Sequence, residues 1–277
     1  MSEVGPGRTT LAGRHKVRVM SPAPRTVQLA FNKSKPAARS AAERVRALIE
    51  AHATFAGGLD LPAPCENASL ADVDLICVVG GDGTLLAAAR CLLDTRIPIL
   101  GVNAGRVGFM AAFDLEAFEE RAPRLLDGSA LPIRTVHALT ATVASRDGAT
   151  HAFEAMNEVV VTAGPPYRMI SLAIKINGEP GPVVSGDGLI IATPLGSTAY
   201  NVSAGGPIVS PDAPVTVITP IAAHSLAFRP IVVSESDTVE ITVLRGNAPD
   251  PTGTALVVDG QVEHTLEEGA TCLRPTT

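Results

Sequence analysis

A glycine-rich turn, Gly80-Gly81-Asp82-Gly83-Thr84, separates a short apolar run from an amphipathic segment. Glycines at such a turn let the backbone approach phosphate oxygens, and the N-terminus of a following helix favours anions. A carboxylate in a pure phosphate loop would repel its ligand. Asp82 is therefore expected to accept a proton from an attacking hydroxyl or to hold Mg²⁺. The alternative is a tight turn in which Asp82 only caps the helix.

A second polar signal interrupts an apolar stretch at Asn157-Glu158, between Ala155-Met156 and Val159–Val161. Two adjacent polar groups near a core are costly unless each is hydrogen-bonded. The two vicinal hydroxyls of a ribose would supply such bonds to a carboxylate. A pair at the end of a sheet, facing solvent, is the alternative.

The third signal is the segment from Thr193 to Pro207, TPLGSTAYNVSAGGP, which is dense in glycines and small polar residues. Its hydroxyls and free amides suit the edge of an adenine. Tyr200 is expected to stack on a base, a contact worth about 1–3 kcal/mol in nucleic-acid complexes. A capped helix with Tyr200 in the core is the alternative. Three weaker candidates are ambiguous between structural and ligand-binding roles: Asp187, His224 and the turn Asp259-Gly260-Gln261.

The secondary structure predicted around these residues differs between the two halves of the chain. In the first half, apolar runs predict strands at 26–31, 75–79 and 98–102, and helical periodicity predicts helices after Pro36, after the glycine turn and at 115–126. A loop is predicted over 57–64. This alternation of strand and helix indicates a parallel sheet covered by helices.

The second half is predicted to be predominantly β. Residues alternate at period two from Ile133 to Val143 and again over 172–176, where Asn177-Gly178 supplies a hairpin turn. Further strands are predicted at 189–193, 215–219, 231–234, 239–244 and 255–258. We divide the chain into a disordered tail (1–25), an α/β domain with the glycine loop (26–130) and a β-rich domain (131–277). A transit peptide is the alternative for the tail.

Composition excludes several classes of protein. The 277 residues carry a net charge of −6, so no basic field would favour a nucleic-acid backbone, and no apolar run is long enough for a membrane span. The chain has no GxxxxGK[ST] motif of a P-loop NTPase, and Gly101, Gly105 and Gly108 do not have the GxGxxG spacing. The four cysteines form no CxxC pair, and we expect reduced thiols and a cytoplasmic protein.

Taken together, the motifs resemble the NAD kinase family, in order and over roughly residues 26–265. The matching segments are GGDGT (80–84), GVNAGRVGF (101–109), AMNEVVV (155–161), GDGLIIATPLGSTAYNVSAGGPIVSP (186–211), HSLAFRPIVV (224–233) and VDGQ (258–261). GGDGT alone is weak, since lipid kinases and 6-phosphofructokinases carry similar loops. The TPxGSTAYxxSAGGP pattern is highly specific.

The resemblance implies an N-terminal α/β domain with a parallel sheet, a predominantly β C-terminal domain, and transfer of the γ-phosphoryl of ATP to the adenosine-ribose 2′-hydroxyl of NAD. It implies Mg²⁺ or another divalent metal with ATP, no metal ligands of the protein's own, and a homodimer or homotetramer. Asp82 is the implied catalytic base. The implied phosphate-binding residues are Gly80, Gly81, Gly83 and Thr84. The implied NAD-binding residues are Asp82, Gly83, Asn157, Glu158, Arg168, Ser185, Asp187, Thr198, Ala199, Tyr200, Asn201, Val202, Ser203, Ala222 and Gln261.

Two other functions compete with this interpretation. A lipid or sugar kinase would share the glycine loop but would leave the third segment unexplained. A non-catalytic NAD(P)-sensing module is the other, because the chain departs from the usual family pattern at Leu195 and Ser185. Members usually carry Thr or Ser at the first position, and many carry Arg or Lys at the second.

Overall fold

The computed structural model describes residues 24–61, 70–105, 110–144, 149–224, 228–247, 253–268 and 270–275, with side chains up to residue 268. The predicted tail lies outside these residues except for its last two. Arg25, at its end, is buried, and its Nε donates to the carbonyl of Leu125. Parts of two predicted motifs, residues 106–109 and 225–227, also lie outside the described residues.

The first unit comprises the residues up to Leu85 together with Asp94–Thr135. Its five-stranded sheet has the order β2-β1-β3-β4-β5, and every neighbouring pair is parallel. The strands are β1 (Thr26–Phe31), β2 (Thr54–Asp60), β3 (Leu75–Val79), β4 (Ile99–Asn103) and β5 (Phe113–Asp114). The helices of this part of the chain are α1 (Pro36–His52), α2 (Asp82–Cys91) and α3 (Leu115–Leu126), with a 3₁₀ turn at Leu93–Thr95. From Leu86 onward, α2 groups with the second unit.

Local sequence explains most of this unit. Proline stands in the first turn of α1, where its missing N–H has no helical partner, and Asp114 caps α3 by accepting from the Ala117 N–H. The apolar stripes of both helices pack on β1, β3 and β4 in one buried cluster. The loop predicted over 57–64 is wrong for Gly57–Asp60, which belong to β2. Parallel pairing with β1 supplies backbone bonds there in spite of the glycines.

The second unit comprises Leu86–Leu93 and Val136–Thr277. One six-stranded sheet has the order β10-β9-β14-β17-β6-β7 and the other β13-β12-β11-β8-β15-β16. The strands of the first are β6 (Leu139–Ala144), β7 (Thr150–Ala155), β9 (Ile170–Ile176), β10 (Glu179–Gly186), β14 (Val239–Arg245) and β17 (Ala270–Pro275). Those of the second are β8 (Glu158–Thr162), β11 (Gly188–Ala192), β12 (Val215–Ile221), β13 (Ile231–Ser234), β15 (Ala255–Val258) and β16 (Val262–Thr265). The described pairs in both sheets are antiparallel.

A single apolar cluster joins the inner faces of these two sheets, so they form a sandwich. The central strands β8 and β11 are buried on both faces, because a smaller cluster, with Val160 and Ile190 at its centre, covers their outer side. A 3₁₀ turn (Leu195–Thr198) and the short helix α4 (Tyr200–Ser203) follow β11. The predicted α/β domain followed by a mostly β domain is therefore confirmed.

The details of the β-rich half agree with the sequence in part. Asn177 and Gly178 have positive φ of 54° and 83° and close the β9–β10 hairpin, as predicted. The predicted strand over Ile133–Val143 is wrong in its first half. Pairing with β7 begins only at Leu139, so the residues before it have no strand partner in that register. Sequence reasoning also missed β10, which contains two prolines.

The cysteines differ from the expectation of four reduced thiols. Cys77 is free and buried on β3, and burial raises the pKa of its thiol to about 12. Cys91, at the end of α2, is disulfide-bonded, so the prediction is wrong for this residue. Of the described helices, none is long and apolar enough to cross a membrane.

Substitution of Gly188 tests whether the packing around β11 tolerates a side chain. A Cβ there would collide with the Val161 carbonyl oxygen of the neighbouring strand, whereas a Cβ on Gly58 of β2 would approach only the Leu29 carbonyl, at 4.0 Å. We expect Gly188→Ala to lower the free energy of unfolding by about 1–3 kcal/mol, as overpacking does. Gly58→Ala should change it by less than about 0.5 kcal/mol. Scanning calorimetry of both variants measures this, and equal melting temperatures would show that β11 is not tightly packed.

Candidate functional site

The glycine turn in the first unit places a carboxylate at the start of a helix. Asp82 is the first residue of α2, and its Oδ1 accepts the Met110 N–H at 3.1 Å. The Gly81 carbonyl accepts from Thr84 and Leu85 as the helix begins. A Cβ on Gly80 would lie 2.6 Å from Thr84 Oγ1, whereas a Cβ on Gly81 would meet open space. The turn therefore offers an open backbone and a helix N-terminus to an anion.

In the second unit, strand register brings three distant segments to one end of a sheet. β8 lies between β11 and β15, with Ala192 opposite Glu158 and Val258 opposite Val159. The residues next to these strand ends are Asn157, Thr193 and Asp259. They are therefore neighbours in space although they span about a hundred positions of the sequence. Asn157 lies just before β8 and Glu158 is its first residue, so the pair stands at the start of this strand and does not interrupt it.

Close backbone contacts lock the third segment onto the second. The Thr193 N–H donates to the Asn157 carbonyl at 2.8 Å, and Thr193 Oγ1 donates to the Met156 carbonyl at 2.7 Å. The Gly196 N–H in turn donates to Thr193 Oγ1 at 3.0 Å. A Cβ on Gly196 would overlap the Asn157 carbonyl, so only glycine permits this approach.

Glu158 is the most unusual side chain of this unit. It is 5% exposed, and its Oε2 has no hydrogen-bond partner among the described residues. The backbone N–H of Tyr200 is near enough to lower the pKa of this carboxyl group in part. Burial, and secondarily the nearby Asp259 carboxylate, raises the pKa of Glu158 to about 7. A buried acceptor without a donor is costly in the free protein, and a ligand hydroxyl would satisfy it.

Asp259 and Arg90 are the residues of this site whose roles the sequence did not reveal. The Asp259 carboxylate accepts three successive backbone N–H groups, from Met156, Asn157 and Glu158. Arg90, on α2, forms an ion pair with it at 2.9 Å. Asp259 was predicted as part of a hairpin turn, with a ligand contact as the alternative, and Arg90 was not singled out. Side chain to backbone bonds between distant residues leave no local sequence signal.

The residues from Thr198 to Ser203 differ in exposure, and Ala199 is partly buried. Tyr200 is 45% exposed and Val202 38% exposed, and Thr198 and Ser203 are also exposed, so a ligand can reach all four. Asn201 is fully buried instead. Its amide nitrogen donates to the Ser197 and Pro207 carbonyls, and its Oδ1 accepts from Thr219. Any contact of Asn201 with NAD would have to come from its backbone.

The remaining predicted residues lie on other elements of this unit. Asp187 and Ala222 are exposed between strands, on adjacent turns linked by the Asp187 N–H to the Ile221 carbonyl. Ser185 Oγ bonds Ser171 Oγ at 3.1 Å, and the exposed Gln261 accepts from Arg90. Arg168 precedes β9 of the other sheet and lines a cavity of about 490 Å³ with Arg245 and Asn247. The strand pairing that brings Asn157, Glu158 and Thr193 together therefore does not bring Arg168 to the same sheet end.

Comparison with known proteins decides the family. Residues 19–130 match the ATP-NAD kinase N-terminal domain and residues 156–272 the ATP-NAD kinase C-terminal domain. The NAD kinase of Rhodopirellula baltica is 37% identical over 234 residues, covering 83% of this chain and 72% of that protein. The NAD kinase of Desulforamulus reducens is 42% identical over 199 residues, covering 72% and 67%.

The chain belongs to the NAD kinase family. Among solved structures, an NAD kinase from Archaeoglobus fulgidus in complex with ATP superposes with a TM-score of 0.68 at 26% identity, covering 91% of this chain and 90% of that one. Yeast NADH kinase complexed with NADH shares the fold, with a TM-score of 0.79 at 24% identity, covering 92% and 79%. The resemblance inferred from the motifs is therefore confirmed. The NAD kinase roles assigned to individual residues stay predictions.

The raised pKa of Glu158 makes stability depend on pH in a definite direction. The carboxyl titrates near 4.5 in the unfolded chain and at about 7 in the folded one, so folding favours its protonated form. The contribution of the Glu158 carboxyl to the free energy of unfolding is largest below pH 4.5. It decreases as the pH rises and is lost above about pH 7, a total change of about 3 kcal/mol. The side chain of Glu158→Gln does not ionise, so the variant does not lose this contribution. The difference in free energy of unfolding between the variant and the wild type should therefore change by about 2–3 kcal/mol in favour of the variant between pH 5 and pH 8.

Urea denaturation at the two pH values measures this gain. The matched control is Glu179→Gln, at an exposed position of β10, which should give the same difference from the wild type at both pH values. If Glu158→Gln behaves like this control, the Glu158 carboxyl is not held protonated by its surroundings.

Proposed function

We propose that the chain transfers the γ-phosphoryl group of ATP to the 2′-hydroxyl of the adenosine ribose of NAD, producing NADP and ADP. Membership of the NAD kinase family supports this reaction. The observation that carries it at the level of residues is the Glu158 carboxyl, buried beside the exposed Tyr200 with Oε2 unpaired among the described residues. Vicinal ribose hydroxyls donate to such an oxygen, and a base can stack on Tyr200.

In the proposed reaction, the ribose O2′ attacks the γ-phosphorus in line with the departing β-phosphate oxygen. The new O2′–P bond forms as the bond to that oxygen breaks, ADP leaves, and the hydroxyl proton passes to the Asp82 carboxylate. The Met110 N–H fixes one oxygen of Asp82, so the carboxylate has a defined orientation. Of the predicted phosphate-binding residues, Gly81 and Gly83 are exposed and can receive phosphate oxygens, whereas Gly80 and Thr84 are buried. Positioning and charge stabilisation supply most of the acceleration in such transfers.

We further propose that Mg²⁺, or another divalent metal, arrives bound to ATP. The described residues contain no group of three or more His, Cys, Asp or Glu side chains that would hold a metal ion. Asp82 is the only carboxylate of the glycine turn and has the Met110 N–H on one oxygen. When bound, an ion held mainly by the phosphates would neutralise their charge.

The cellular setting completes the proposal. We place the protein in the cytoplasm, and we expect a homodimer or homotetramer, as the family resemblance implies. The exposed positions of Asp187 and Ala222 suit residues that complete a neighbouring subunit's site. Sedimentation with and without NAD tests the assembly, and a purely monomeric active protein would contradict it.

The reaction itself is tested by incubating purified protein with ATP, Mg²⁺ and NAD and measuring NADP. A panel of lipid and sugar hydroxyl acceptors is run in parallel. NADP formation without phosphorylation of the panel is expected. Phosphorylation of a lipid or sugar in preference to NAD would replace the proposal. NAD binding without NADP formation would favour a sensing module.

The role of Asp82 gives a sharper prediction. Asparagine keeps the Oδ1 acceptor for the Met110 N–H but cannot take up the hydroxyl proton, so Asp82→Asn should fold normally. Its kcat should fall by about 10²–10⁴-fold, the usual effect of losing a general base. Asp94→Asn, at an exposed position just beyond α2, is the matched control and should retain wild-type turnover. Near-normal turnover of Asp82→Asn with an unchanged melting temperature would reduce Asp82 to a helix cap.

A further inference from the structure

The turn that carries Asn157 and Glu158 is fixed by one carboxylate from a distant part of the chain. The Asp259 oxygens accept the N–H groups of Met156 at 3.0 Å, Asn157 at 2.7 Å and Glu158 at 3.1 Å. The Asp259 N–H returns a bond to the Glu158 carbonyl at 3.0 Å. Four bonds thus fix three consecutive backbone units against the β15–β16 turn.

This carboxylate is stable in the interior because its charge is compensated. The Asp259 side chain has no exposed surface, and Arg90 Nη1 lies 2.9 Å from its Oδ2. Arg90 Nη2 donates to Gln261 Oε1 at 2.7 Å, so the guanidinium group binds both the first and the last residue of the Asp259–Gln261 turn. Buried carboxylates require such charge-assisted bonds, and removing one partner leaves an uncompensated charge.

We propose that Asp259 and Arg90 are positioning residues for NAD: Asp259 holds the Asn157–Glu158 turn in its ligand-binding shape, and Arg90 holds and neutralises Asp259. Neither residue needs to touch the substrate. This inference rests on the proposed function, because it concerns the same site.

The arrangement does more than support the fold, since Asp259 also acts on Glu158 through its charge. The two carboxylates are close enough for Asp259 to disfavour ionisation of Glu158. Arg90 places the opposite charge 2.9 Å from Asp259, and we expect that charge to reduce the effect. Losing Arg90 therefore has two consequences: the turn loosens, and Glu158 ionises only at higher pH. A residue with a purely structural role would produce neither a selective loss of NAD nor a shift in pH.

The experiment compares Arg90→Met, Arg90→Lys and Asp259→Asn with the full-length wild type. Arg90→Met is expected to raise KM for NAD by about 10–100-fold, to change KM for ATP less than twofold, and to shift the rise of kcat/KM for NAD to higher pH. Arg90→Lys keeps the charge, so its increase in log KM for NAD should be at most half of the increase in Arg90→Met. Asp259→Asn should raise KM for NAD at least as much as Arg90→Met, because an amide nitrogen cannot accept an N–H. It should shift the rise of kcat/KM for NAD to lower pH instead, because the charge that disfavours ionisation of Glu158 is removed. Arg44→Met, which removes a surface ion pair with Glu119, is the control and should leave all values unchanged.

Hydrogen exchange of the ligand-free proteins gives a readout that is independent of catalysis. The amides of residues 156–158 should exchange at least tenfold faster in Arg90→Met than in the wild type, while amides of the β9–β10 hairpin keep their rates. If Asp259→Asn does not fold, the two Arg90 variants carry the test alone. Unchanged exchange at 156–158, or equal losses for NAD and ATP, would overturn the proposal. Failure of the wild type to form NADP would instead refute the proposed function, and the exchange result would still decide the positioning of the turn.

Discussion

Two buried carboxylates at the end of β8, Glu158 and Asp259, impose the constraint on which the site depends. A charge removed from water is tolerated only where hydrogen bonds or an opposite charge replace the lost solvation. Asp259 has three backbone donors and an arginine. Glu158 has only the pKa-lowering influence of the Tyr200 backbone N–H, and its Oε2 has no hydrogen-bond partner among the described residues. The fold therefore satisfies one carboxylate internally and leaves an oxygen of the other without a partner among the described residues.

The sandwich makes this asymmetry possible. Because β8 lies between β11 and β15, the chain segments that follow or precede these strands converge at one sheet end. Gly196 then allows the segment carrying Tyr200 to lie directly on the Asn157 carbonyl. Rigid strands thus support irregular, partly exposed segments, the usual division between a scaffold and its binding site.

Much of this was predictable from sequence, for identifiable reasons. Strands buried on both faces, such as β3 and β11, appear as unbroken apolar runs, and Asn177-Gly178 is a strong hairpin signal. The glycine turn and the segment after β11 were recognisable because their composition is unusual for packing. Strands whose pairing is decided by the neighbouring strand, such as β2 with its glycines and β10 with its prolines, were not predictable from local pattern. Neither was the bonding of Asp259 to residues a hundred positions away, nor the internal role of Asn201, whose amide appeared available to a ligand.

The central claim is that Glu158 must be ionised to receive the ribose hydroxyls of NAD. Calorimetric titration of NAD into the wild-type protein between pH 5.5 and 8.5, in buffers of different ionisation enthalpy, tests it most directly. With a free-protein pKa of about 7, affinity should rise by up to about tenfold per pH unit below 7 and level off above it, with nearly one proton released per NAD bound at pH 6. An affinity that is constant from pH 6 to 8, with no proton released, would contradict the account.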